Sequence, residues 1–154
     1  CFSIKYKYSV IHYPTHKGKL KIYTKLDNNV SILKLFPGIN KNTVEAILDT
    51  KNLKGLVLET FGSGNATTKP WFINLLDKHI KKGLIIYNVT QCSAGSVDMG
   101  LYETSLALKR IGIISGQDIT TEAAITKMMF LLGNKKNREE VVECLQKSIS
   151  GEMG

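Results

Sequence analysis

Short apolar runs that break off into polar, glycine-containing loops, each followed by a stretch of helical spacing, constrain this chain more than any other feature. Gly55-Leu-Val-Leu58 leads into Thr60-Phe-Gly-Ser-Gly-Asn-Ala-Thr67. Gly83-Leu-Ile-Ile-Tyr87 leads into Asn88-Val-Thr-Gln-Cys-Ser-Ala-Gly-Ser-Val-Asp-Met-Gly-Leu-Tyr102. An apolar run without polar alternation is a strand covered on both faces, as in parallel sheets. Ligands of open α/β sheets bind beyond the carboxyl ends of the strands. Both polar loops fall there, so they are the candidate functional segments.

The remaining pattern completes the architecture. Val30 to Phe36 makes a first strand, ended by Pro37-Gly38. Asn42 stands three residues before Glu45, a capping-box variant, and Val44, Ile47 and Leu48 give that helix one apolar face. The second strand runs from Gly55 to Phe61, and Thr68 with Pro70 starts a helix whose inner side is Phe72, Leu75, Leu76 and Ile80. Lys78, Lys81 and Lys82 suit the negative end of that helix, and Gly83 stops it. The third strand is Leu84 to Val89. Asp98 then caps a helix to about Arg110, with Met99, Tyr102, Leu106 and Leu108 packed inward. Ile111 to Ile114 is a fourth strand. Ala124, Ile125, Met128, Met129 and Leu132 mark a helix ended at Gly133-Asn134, and Val141, Val142, Leu145 and Ile149 mark a last one. The expected fold is α/β, a three-layer domain with a four-stranded parallel sheet flanked by helices.

Residues 1–27 follow a different rule. Phe2, Ile4, Tyr6, Tyr8 and Val10 alternate with polar residues, as do Leu20, Ile22 and Leu26, on either side of a turn at Tyr13 to Gly18. Period two is the signature of half-exposed strands. We therefore divide the chain into an extended basic β leader over residues 1–27, serving as an interdomain linker, and an α/β domain over 28–154. Six of the lysines precede Asn28 against one acidic residue, Asp27, so +5 of the net charge of +8 sits in the leader. A basic leader can attract nucleic acid, but a solvated lysine-rich edge accounts for it without a partner. Cys1, Cys92 and Cys144 have no metal-ligand spacing and read as free thiols of a reducing compartment. No cofactor, metal, nucleic-acid or membrane partner is expected.

The chemistry-bearing residues are few. In Thr60-Phe-Gly-Ser-Gly-Asn65 the glycines permit a sharp turn, and the Asn65 amide offers both donors and an acceptor to a small polar ligand. The same segment also reads as a plain strand–helix turn. Its glycine spacing is not that of a dinucleotide-binding or phosphate loop. Cys92 lacks a histidine to activate it and reads as a lining or core thiol. Asp98, Asp118 and Glu122 read as helix-start charges. Nothing forms a self-sufficient catalytic set.

Leu35-Phe-Pro-Gly38, Gly55-Leu-Val-Leu-Glu-Thr-Phe-Gly-Ser-Gly-Asn-Ala66, Asn88-Val-Thr-Gln-Cys92, Gly95-Ser-Val-Asp-Met-Gly-Leu-Tyr102, Ile113-Ile-Ser-Gly-Gln-Asp-Ile-Thr120 and Glu122-Ala-Ala-Ile-Thr-Lys127 occur in this order. Together they resemble the carboxyl-terminal domain of the bacterial type I, cytoplasmic, L-asparaginases. That resemblance implies a parent enzyme that hydrolyses L-asparagine to L-aspartate and ammonia, located in the cytoplasm and assembled as a dimer of dimers. It implies that the catalytic threonines, an aspartate and a lysine lie in an amino-terminal domain, leaving this fragment inactive alone. By its place in the motif, Asn65 is implied to bind substrate in a neighbouring subunit's site, supported by Gly62, Ser63 and Gly64. Thr90, Cys92 and Glu59 are implied to line an allosteric pocket. Glu59 replaces an arginine of the regulated bacterial form, and a carboxylate there repels the carboxylate an arginine would hold. Against this stands a non-catalytic small-molecule-binding or subunit-interaction domain.

Overall fold

The structure, a computed structural model, describes Lys19 and residues 22–100, 103–135 and 137–154. The alternation over Phe2–Val10, the turn at Tyr13–Gly18 and the packing of Tyr102 lie outside the described residues. The elements run β1 (Val30–Lys34), α1 (Lys41–Leu48), β2 (Gly55–Thr60), α2 (Pro70–Lys81), β3 (Ile85–Thr90), α3 (Glu103–Arg110), β4 (Ile114–Ser115), α4 (Thr121–Asn134) and α5 (Arg138–Leu145). The strands pair in parallel in the order β1-β2-β3-β4, the α/β sheet expected.

Strand alternation assigns the two faces. Leu33, Leu56, Leu58 and Ile86 point to one side and bury Val44 and Leu48 of α1, Phe72, Leu75 and Leu76 of α2, and Leu108 of α3. Val57, Ile85, Tyr87 and Val89 point to the other and meet Ala124, Met128 and Leu131 of α4, Val141 and Leu145 of α5, and Met153. Every residue of β2 and β3 is buried, which is why their first parts, Gly55–Leu58 and Ile85–Tyr87, read as unbroken apolar runs. A Cβ on Gly55 would come within 2.2 Å of Met128 Sδ, so the bare backbone there lets α4 lie close on β2.

Several boundaries differ from the sequence reading, each for a physical reason. The cap of α1 is Asn40, not Asn42: its side chain accepts from Thr43 N at 2.9 Å. Residues 22–29 are not a strand. Their backbone is held by α4 instead, Asp27 N donating to Met129 O at 3.0 Å and Asn134 Nδ2 to Lys25 O at 2.7 Å. Gly133 lies inside α4 and does not end it. α5 stops at Leu145, leaving Ile149 49% exposed.

Lys127 is the largest surprise of the second face. It follows the apolar stripe of α4 inward and is 6% exposed. Its ammonium donates to Lys147 O at 2.6 Å and pairs with Glu152 at 2.7 Å, so the segment after α5 supplies the acceptors a buried lysine needs. Burial raises the Glu152 carboxyl, but the hydrogen bond from Lys127 and those from the backbone N–H groups of Ser150 and Ile149 outweigh it and bring it down to about 2. Tyr87 donates to Leu145 O at 2.9 Å in the same cluster, and burial holds its hydroxyl well above the usual tyrosine range.

Candidate functional site

β2 and β3 end side by side, with Thr60 opposite Thr90. The chain beyond β2 folds straight back: Asn65 N donates to Phe61 O at 2.8 Å and Phe61 N to Asn65 O at 2.9 Å. Within this turn Gly62 has φ +50° and Gly64 has φ +104°. A side chain at Gly64 would be strained by that backbone, and its Cβ would also sit 2.9 Å from Val97 Cγ1. The tight turn thus presents Asn65 at the carboxyl edge of the sheet.

The chain beyond β3 is the platform for that turn. Asp98 N donates to Ser63 O at 3.1 Å, and the Thr90 hydroxyl makes a short hydrogen bond to Gly62 O. Val97 packs under Gly64 and is fixed in turn, its N–H on Gln117 O at 2.8 Å and its carbonyl accepting from Ser115 Oγ at 2.8 Å. Asp98 is not a helix cap, because residues 99 and 100 that follow it form a turn and not a helix; its amide instead holds the neighbouring loop. Gln91 ties three strand ends together, donating from Nε2 to Leu35 O at 2.7 Å and Glu59 O at 3.1 Å. Asn88, wholly buried, accepts from Thr60 Oγ1 at 2.8 Å, while its Nδ2 hydrogen-bonds no described group.

Glu59, Thr90 and Cys92 line one cavity of about 260 Å³ with Lys34, Asp118 and Thr121. Glu59 is 8% exposed. Its Oε1 accepts from Thr121 Oγ1 at 2.6 Å, and its Oε2 forms an ion pair with Lys34 at 3.2 Å without hydrogen-bond geometry. Glu59 thus lies at the start of α4, at the helix end whose dipole favours acidic side chains. Cys92 is exposed and borders this cavity, so of its two readings, lining or core thiol, the core one is excluded. The β3 side chains it follows alternate inward, but Cys92 lies past the strand end, where no pleat directs it into the core. His79 is buried on α2 between Leu75 O and Asp49, remote in sequence and in partners from Cys92. Among the described residues no group of three or more histidine, cysteine or acidic side chains is placed to hold a metal.

Residues 29–145 match the model of the glutaminase/asparaginase C-terminal domain, three quarters of the chain. The chain belongs to that family. It is 31% identical over 140 residues to L-asparaginase 1 of Escherichia coli K12, covering 91% of this chain and 41% of that protein. It is 40% identical over 138 residues to a human protein named 60 kDa lysophospholipase, covering 89% of this chain and 24% of that protein. The structure of L-asparaginase I from Vibrio cholerae superposes with a TM-score of 0.83 at 36% identity, covering 90% of this chain and 41% of that one. The chain thus spans only a quarter to two fifths of these relatives' lengths.

The asparaginase family domain accounts for the sheet and both loops. The structure places Asn65, Gly62, Ser63 and Gly64, singled out in the sequence, together in the turn after β2. Sequence reasoning missed Thr90 as the hydroxyl under that loop. The signal available was a threonine at the end of a buried strand beside another strand ending in threonine.

Proposed function

We propose that this chain is the carboxyl-terminal part of an L-asparaginase that hydrolyses L-asparagine to L-aspartate and ammonia. The observation that carries the reading is the loop at the end of β2, where Gly62 and Gly64 with positive φ shape a turn closed by the Phe61–Asn65 pair. Such a turn holds Asn65 at the edge where α/β sheets bind ligands. The Asn65 amide can donate to a substrate carboxylate or carbonyl and accept from an ammonium group. The division of labour is that the nucleophilic threonine and its partners come from an amino-terminal domain, with residues 1–27 as the linker to it. Asn65 works in the site of a neighbouring subunit of a dimer of dimers in the cytoplasm. No described helix is long and apolar enough to cross a membrane. Glu59, Thr90 and Cys92 border a regulatory pocket in this reading, one whose buried Glu59 carboxylate disfavours a ligand carboxylate.

The test is the asparaginase activity of the longer protein containing this chain, with and without Asn65→Ala. Losing one charge-assisted contact to substrate lowers kcat/KM by roughly 10- to 100-fold. An unchanged kcat/KM in N65A would overturn the assignment. Lysophospholipid assayed beside asparagine separates this reading from the ester hydrolysis that the human relative's name suggests.

A further inference from the structure

One hydroxyl joins the two loops at the sheet edge. Thr90 closes β3, donates from Oγ1 to Gly62 O, and accepts on the same oxygen from Cys92 N at 3.0 Å. Both capacities of the hydroxyl are therefore engaged. Gly62 lies in the exposed part of a five-residue turn whose ends, Phe61 and Asn65, are paired to each other. In a loop this short, a shift of the Gly62 carbonyl is passed to Asn65, because little backbone lies between them to absorb it. Ser63 O is held by Asp98 N, and Gly64 rests on Val97. Those two anchors are a backbone bond and a packing contact. Thr90 adds a side-chain hydrogen bond that fixes Gly62, the residue after Phe61 in the turn.

We propose that Thr90 is a positioning residue for substrate binding: its hydroxyl sets the Gly62 carbonyl and through it the placement of Asn65. The proposal rests on the reading of Asn65 as a substrate contact. It also ties the turn to the cavity of Glu59, because Thr90 lines that cavity while bonding to the turn. Exchanging the hydroxyl for a methyl keeps the β-branched shape and removes the donor, so Gly62 O turns to water and the turn gains freedom. Such a loss acts equally on bound substrate and transition state, which places the effect in KM and leaves kcat near its original value.

The experiment uses the longer protein that contains this chain, with L-asparagine as the probe. Wild type, T90V, T90S, N65A and the T90V/N65A double variant are compared for KM and kcat. The expected result is a rise in KM of about five- to tenfold in T90V, the worth of one hydrogen bond. T90S, which keeps the hydroxyl, returns KM to the wild-type value. Introduced into N65A, T90V adds no further loss, because both act through one contact. T90A serves the same comparison if T90V is insoluble. An unchanged KM in both T90V and T90A overturns the proposal, as does a T90V effect of full size in the N65A background. If N65A itself equals wild type, the reading of Asn65 falls and the proposal falls with it.

Discussion

The loops after β2 and β3 leave the same sheet edge from paired threonines, and both are polar and contain glycine, yet they are built by opposite means. The turn at 61–65 is shaped by its own backbone, with two positive φ values and its ends bonded to each other. The segment at 91–98 has no such closure of its own over its whole length. It spends its groups on others: Gln91 on β1 and β2, Asp98 N on Ser63, Val97 on Gly64 and Gln117. The lesson is that similar composition marks a location and not a role. A self-closed turn can present a side chain, and a loop that gives its hydrogen bonds away is a support.

The comparison breaks first at Gly64. Gly64→Ala combines a left-handed φ with a Cβ 2.9 Å from Val97 Cγ1. It should destabilise the domain by about 2–4 kcal/mol, read as a shift in the denaturant midpoint. A cost under about 0.5 kcal/mol would mean that the turn is soft and that its shape does not depend on glycine.

Acid sharpens the comparison from a third region. Neither loop's anchors named above is an ion pair, whereas the segment after α5 is fastened by Lys127 and Glu152. The Glu152 carboxyl falls from its ordinary 4.5 to about 2 in the fold. A depressed folded value means that its stabilisation is complete above 4.5 and is lost as pH falls toward 2. Glu152→Gln should lower Tm at neutral pH and flatten the fall of Tm across that acid window relative to wild type. Parallel Tm curves for the two proteins would show that Glu152 does not carry the acid response.

The smallest effect belongs to Cys92, whose thiol is exposed. Cys92→Ser should leave stability within about 0.5 kcal/mol and asparaginase activity of the longer protein unchanged. A large loss of activity would return Cys92 to the list of chemical groups.

The sheet was legible in the sequence because β2 and β3 are buried on both faces and so begin with apolar runs free of polar alternation. The turn at 61–65 was legible because its glycines act locally. What escaped depends on contacts distant in sequence. Asp98 and Asn42 both were expected as caps, but Asp98 is followed by a turn and is tied by its amide to Ser63 across the sheet edge, and Asn40 is the residue that reaches Thr43. Lys127 was not among the residues expected inward on α4, because its partners, Lys147 O and Glu152, lie beyond the next helix. Thr90 was singled out only as implied pocket lining, and its bond to the turn went unread because the acceptor, Gly62 O, comes 28 residues earlier. Local chemistry writes turns and strands into the sequence, while a hydroxyl or ammonium whose partner is remote leaves no mark of its own.

The most direct measurement of the central claim, that Asn65 serves a neighbouring subunit, is complementation between two inactive forms of the longer protein. One carries Asn65→Ala; the other has an intact Asn65 and a disabled nucleophile in its own amino-terminal domain. Each homo-oligomer is inactive or nearly so. Co-expressed mixed oligomers should regain asparaginase activity, because some sites then join a sound nucleophile to a sound Asn65 from the partner. Mixed oligomers confirmed by mass that show only the summed residual activity of the parents would contradict the account.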